Sequence, residues 1–144
     1  MEMVVSFPGG LRVDTHVGPH VVRTDQPRGA GGEESAPTPF MTFLASVGAC
    51  AGIYVLGFCR QRGLSADGIR IIQRMTSDPE RGGVARISLE IHVPDAFPAK
   101  YHGALVRAAE QCAIKKQLEA PPKFDITTVV DRAGTAPASM PANR

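Results

Sequence analysis

PTPFMTFLASVGACAGIYVLGFC, Pro37 to Cys59, decides how this chain folds. The 144 residues hold 16 Lys/Arg and 14 Asp/Glu, yet none falls in the 20 residues from Phe40 to Cys59, which carry two of the three cysteines. A stretch so long and so apolar is either a membrane span or a helix enclosed by protein. Gly48 and Gly52 even have the small-xxx-small spacing of packed membrane helices. Against a span, the run includes Thr42, Ser46, three glycines and two cysteines, with no Trp and no cationic anchor before it. The remaining chain also reads as elements that need an apolar partner. A core or subunit-interface helix is therefore expected, and no membrane.

Its ends agree with a helix from about Pro39 to Arg62. Pro37 and Pro39 suit a first turn, where a missing N–H costs little, with Thr38 or Ser35 as cap. Arg60, Gln61, Arg62 and Gly63 supply a cationic last turn and a left-handed cap. Gly48, Gly52 and Gly57 each cost about 1 kcal/mol against Ala, which predicts a second backbone close to this helix.

Working outward, Met3–Phe7, Leu11–Val17 and His20–Thr24 alternate with period two and are separated by Gly/Pro turns, an antiparallel meander. DQPRGAGGEESA, Asp25 to Ala36, is expected to be a flexible or functional loop. Gly68–Met75 and Val84–Val93 form a hairpin across SDPERGG. Pro98–Lys116 reads as a second long helix with Leu105, Ala108, Ala109 and Cys112 on one stripe. Phe124–Val130 is expected as a closing strand, and the tail from residue 132 as disordered. The fold class is α+β, with one domain over residues 1–131.

A net charge of +2 without any basic run argues against nucleic acid as a partner. MEMVVSFPGG has no secretory pattern, so a cytoplasmic address and reduced thiols are expected. His16, His20, His92 and His102 are scattered, no CxxC occurs, and neither a metal nor another cofactor is expected. No nucleophile elbow or phosphate-binding loop appears.

The cysteines remain. Cys59 lies nine residues after Cys50, on the opposite side of one helix, which excludes a disulfide between them. Cys59 reads as core, or as a thiol near Arg60 and Arg62. Cys112 precedes Lys115 and Lys116, which favour a thiolate if they reach it. If the two helices pack face to face, Cys50 and Cys112 approach each other. Inert buried thiols are the competing reading.

A Gly-rich loop, then P-x-P, then LASVGAC (Leu44–Cys50), a closing RGL (Arg62–Leu64) and later AAEQCAI (Ala108–Ile114) together resemble the OsmC/Ohr family of osmotically induced and organic hydroperoxide resistance proteins. The resemblance spans Met3 to about Val130. It implies an intertwined homodimer, with antiparallel sheets around two long central helices. It also implies a thiol peroxidase that acts on organic hydroperoxides or hydrogen peroxide and is regenerated by a dithiol reductant. Carried over by position, Cys50 is the attacking thiol, Cys112 the resolving thiol, and Arg12 the stabiliser of thiolate and peroxide. Arg28 is a second candidate for that arginine, and Glu33 or Glu34 for a carboxylate. Two positions depart from the pattern: Phe40 stands where the family's active peroxidases carry a Glu after the helix-opening Pro, and Ala113 follows Cys112 where a Pro is common. The pattern therefore resembles the OsmC-like branch more than the dedicated hydroperoxide resistance enzymes. Phe40 also motivates a second expectation, a non-enzymatic protein that holds a small hydrophobic ligand near Cys50.

Overall fold

A computed structural model describes residues 1–130 of the chain, so the tail expected from residue 132 lies outside the described residues. These residues divide into two compact units, one formed by Met1–Pro39 with the segment from Pro122, the other by Phe40–Pro121.

In the first unit β1 (Val4–Gly9), β2 (Arg12–Val17) and β3 (His20–Thr24) form the expected antiparallel meander in the order β1-β2-β3. Pro8 lacks a ladder donor and sits where the β1–β2 register shifts, between Ser6 and Gly9. The loop after β3 is more organised than its composition predicts. Asp25 is buried at its start, and its carboxylate accepts hydrogen bonds from the N–H and hydroxyl of Ser35 and from the N–H groups of Gln26 and Glu33. Those donors, Ser35 foremost, hold the Asp25 pKa down at about 2. Gly32 is required beneath this knot, since a Cβ there would stand 2.0 Å from the Gln26 carbonyl oxygen.

The second unit is built on α1 (Pro39–Gln61), the charge-free helix, which ends one residue short of the expected Arg62. Its buried residues, Leu44, Val47, Ala51, Val55, Phe58 and Cys59, recur at three- and four-residue spacing. Uniform apolarity in the sequence concealed this stripe. The stripe packs with the antiparallel hairpin β4 (Arg70–Ser77) and β5 (Val84–His92), and with α2 (His102–Ala109). Val55, Phe58, Cys59, Phe97 and Leu105 are the centre of that core, and Tyr101 closes it edge-on to Phe58. Gly48 is crowded, although by a side chain rather than the expected backbone: a Cβ there would lie 2.8 Å from Gln73 Oε1. The same Gln73 amide donates from Nε2 to the Leu44 carbonyl at 2.9 Å, fastening β4 to α1. Gly52 and Gly57 have no comparable neighbour.

Two expectations are corrected. The second long helix is interrupted: α2 ends at Ala109, and α3 (Ala113–Glu119) begins after a break in which Cys112 has an extended ψ of 119°. No Pro or Gly forces this break, so tertiary contacts override a helix-forming sequence. Residues 121–130 form no strand, and Phe124, Ile126, Val129 and Val130 are exposed. A β-branched run becomes a strand only when another edge pairs with it. In length and composition α1 also qualifies as a membrane span, with a mean hydropathy of 1.8 and a third of its most apolar window buried.

Leu105→Ala, which empties a site only 2% exposed, is expected to destabilise the fold by about 2–5 kcal/mol, read as a lowered midpoint in urea unfolding. Because the folded Asp25 pKa is depressed, its stabilisation is complete above the ordinary value of 3.8 and lost as pH falls through about 2. Asp25→Asn should flatten the stability profile between those limits, and an unchanged acid-unfolding curve would contradict the role given to this carboxylate.

Candidate active site

Cys50 lies near the middle of α1, half-buried, and Cys112 caps the amino end of α3, 2% exposed. The break between α2 and α3 turns the first amides of α3 toward Cys50. Its sulfur accepts the N–H of Ile114, the thiol hydrogen of Cys112 and the N–H of Ala113, and these together outweigh burial and lower its pKa below the ordinary thiol value of 9.0. Neutral donors thus do what a cationic side chain does in many reactive-thiol sites.

The same contact acts oppositely on its partner. Burial first, and then the hydrogen bond to Cys50, keep the proton on Cys112. The Cys112 S–H has a second acceptor within reach, the Val47 carbonyl at 3.9 Å, one turn before Cys50. Lys115 and Lys116 do not activate it: Lys115 Nζ faces the Glu119 carboxylate at 3.9 Å, and Lys116 Nζ donates to Gln111 Oε1 at 2.7 Å. Cys59 is fully buried in the core, where loss of hydration pushes its pKa up, and all three cysteines are free thiols.

Beside Cys112 opens an apolar groove of about 450 Å³. Ile87, Leu89 and Ile91 of β5 form its floor, Val47 and Leu118 are among its walls, and Glu110 and Lys115 are its charged residues. Phe40 is not one of its walls. That ring is half exposed in the first turn of α1 and stacks on Phe43 at 6.1 Å.

The other candidates belong to the first unit. Arg12 is half-buried on β2, donates from Nε to the Gly9 carbonyl at 3.2 Å, and shares a pocket of about 240 Å³ with Asp14, Arg23 and Ser35. Arg28 is exposed and lies 3.9 Å from the Glu34 carboxylate. Glu33 gives its backbone N–H to Asp25, and its side chain is exposed. The structure therefore brings Cys50 and Cys112 together within one unit, while Arg12, Arg28 and Glu33 are positioned by another. No group of three or more His, Cys, Asp or Glu among the described residues is placed to hold a metal ion. Sequence reasoning missed the Ala113 and Ile114 amides, which carry no side-chain signal, and Asp25, which was legible as an acid at a strand end before a Gly-rich loop.

Iodoacetamide labelling of the reduced protein with peptide mapping should modify Cys50 about tenfold faster than Cys112 or Cys59 at neutral pH. The Cys50 rate should rise with pH through a midpoint below the ordinary 9.0. Equal rates at the three thiols would refute the asymmetry.

No curated protein sequence matches this chain. Solved structures do. A Psychrobacter arcticus protein named for osmotic stress induction and a detoxification response aligns over 80% of this chain and 85% of its own, at 17% identity and a TM-score of 0.69. The Legionella pneumophila organic hydroperoxide resistance protein OsmC aligns over 83% and 90%, at 22% identity and 0.56. A Vibrio cholerae protein named for organic hydroperoxide resistance, with captopril bound in one of its active sites, aligns over 84% and 86%, at 20% identity and 0.58. These likenesses establish the shared mixed α/β fold. The family model for OsmC-like protein matches residues 31–127, from the Gly-rich loop through both cysteines, and this chain belongs to the OsmC-like family.

Proposed function

We propose that this protein is a cysteine-based peroxidase in which Cys50 reduces an organic hydroperoxide or hydrogen peroxide and Cys112 resolves the product. The observation that carries this reading is the hydrogen-bonded Cys50–Cys112 pair, with Cys50 shifted toward thiolate and Cys112 toward thiol. The Cys50 thiolate attacks the peroxide oxygen that carries hydrogen, an S–O bond forms as the O–O bond breaks, and the departing alkoxide or hydroxide takes a proton from solvent and leaves as alcohol or water, with Cys50 now a sulfenic acid. Oxidation then changes the partner. Burial still disfavours the Cys112 thiolate, but the hydrogen bond and charge of Cys50 no longer do, and the Lys115 and Ile114 amides that favour it remain. Cys112 then attacks the sulfenic sulfur, water leaves, and the disulfide awaits a dithiol reductant.

Arg12 is the proposed stabiliser of the peroxide, with Arg28 and Glu33 as loop contributors, and residues 1–131 serve as one OsmC-like domain. The unit of function is a cytoplasmic homodimer. Phe40, Met41, Phe43, Ile53, Tyr54 and Leu56 leave a broad apolar face of α1 exposed, and an interface is the usual use of such a face. Sedimentation at micromolar concentration should give twice the chain mass, and a monomer would remove this part of the proposal.

A second reading draws on the groove of about 450 Å³, which is apolar and large enough for a small hydrophobic ligand. Under that reading Phe40, in place of a carboxylate, marks lost peroxidase activity. Intact mass after one equivalent of cumene hydroperoxide separates the two. Peroxidase chemistry predicts a loss of about two mass units mapped to Cys50–Cys112, with turnover by a dithiol abolished in Cys50→Ser. Unchanged thiols, with a ligand retained by Cys50→Ser in native mass spectrometry, would favour the binding protein.

A further inference from the structure

One face of the β1-β2-β3 sheet gathers charged groups of both signs. Arg12 and Asp14 lie two positions apart on β2 and so share a side of the sheet, and Arg23 stands opposite Asp14 in the β2–β3 ladder. With Pro8, Thr24 and Ser35 they line the pocket of about 240 Å³. Drug-sized ligands occupy sites of about 300–1,000 Å³, so the occupant that fits here is smaller.

Both guanidiniums are under-used. Arg12 gives its Nε–H to the Gly9 carbonyl at 3.2 Å, and its Nη groups have no acceptor among the described residues. Arg23 faces only the Asp14 carboxylate, 4.0 Å from its Nε, and its side chain is 63% exposed, so that contact is weak. The hydroxyls of the pocket are the reverse case. Thr24 Oγ1 donates to the Val13 carbonyl at 2.7 Å and Ser35 Oγ to the Asp25 carboxylate at 2.7 Å, which leaves each with lone pairs alone. The free side-chain donors are therefore guanidinium N–H groups, and the side-chain acceptors are the Asp14 carboxylate and two hydroxyl oxygens. Two positive charges against one negative leave a surplus of one. Ser35 is also held in place before any ligand arrives, by the Asp25 hydrogen bonds that order the loop, which lowers the ordering cost of binding.

We propose that this pocket binds a small hydroxycarboxylate, whose carboxylate is taken by the Nη groups of Arg12 and Arg23 and whose hydroxyl donates to Asp14. A planar carboxylate matches the guanidinium fork, and a monoanion matches the surplus charge. A dianion such as hydrogen phosphate leaves the site net negative. An acid without the hydroxyl sets its carboxylate beside Asp14 with no proton between them, which loses affinity. Binding here needs neither cysteine, so it stands apart from the peroxidase reading.

Nitrogen-15 spectra of the reduced, labelled protein test the site, with lactate, propionate, inorganic phosphate and chloride titrated separately at neutral pH and constant ionic strength. Lactate is expected to shift the Arg12 and Arg23 side-chain N–H signals and the Ser35 amide saturably, with a Kd of about 1 mM. Propionate should bind about tenfold more weakly for want of the hydroxyl, and chloride should give no saturable shift. Arg23→Gln, a change at an exposed side chain, should weaken lactate binding about tenfold, and Arg23→Lys, which keeps the charge without the fork, should recover only part of that loss. Lactate shifts that do not saturate, or that chloride reproduces, overturn the site. Equal affinity for lactate and propionate, or tighter binding of phosphate, overturns the assignment to hydroxycarboxylates. Undiminished lactate binding in Arg23→Gln overturns the part given to Arg23.

Discussion

Twenty consecutive residues without a charge are the constraint on which this structure depends. Such a helix cannot be left in water, and every element of the second unit is arranged by that fact. The hairpin β4–β5 and helix α2 cover one stripe of α1, and Gln73 fastens the hairpin through the Leu44 carbonyl. Phe58 and Cys59 carry the stripe into a core shared with Phe97 and Leu105. The opposite face keeps large apolar side chains in the open, so one chain uses only part of what the helix offers. Burial of the stripe also fixes Cys50, one position before the fully buried Ala51, at the edge of the covered face rather than inside it.

The site arises where that edge meets an interrupted helix. A continuous helix from Pro98 to Lys116 would have sealed its amides in i→i−4 bonds. Stopping at Ala109 and restarting at Ala113 frees the first N–H groups of α3, and Cys112 swings its sulfur toward α1. The Ile114 amide chiefly lowers the Cys50 pKa and burial chiefly raises that of Cys112, and the hydrogen bond between the two thiols adds to both shifts, since it stabilises charge on the acceptor and keeps the proton on the donor. Division of labour between the thiols follows from backbone geometry rather than from nearby charge.

Periodicity carried most of the fold. The meander, the hairpin and α1 lie within two residues of where alternation, turns and caps place them, because each element's signal is local. Three features escaped for nameable reasons. The break before Cys112 has no Gly or Pro and answers to tertiary contacts. Phe124–Val130 has strand composition without a partner edge among the described residues. The orientation of α1 was unreadable because an evenly apolar helix has no preferred face in its sequence. At the site, the cysteine pair was legible from its place in two helices, whereas the Ala113 and Ile114 amides belong to the backbone and leave no trace in residue types. Lys115 and Lys116 were credited with a role that Glu119 and Gln111 absorb.

Phe40 gives the difference its meaning. A thiolate held by an ion pair depends on a carboxylate that titrates and on charges that salt screens. Backbone amides neither titrate in the accessible range nor lose their dipoles to counterions. Their weakness lies elsewhere: they point at Cys50 only while α3 is folded. Linkage then requires reciprocity. Whatever α3 contributes to lowering the Cys50 pKa, ionised Cys50 returns to α3 as stability, so reactivity of the sulfur and order in this seven-residue helix are two readings of one equilibrium.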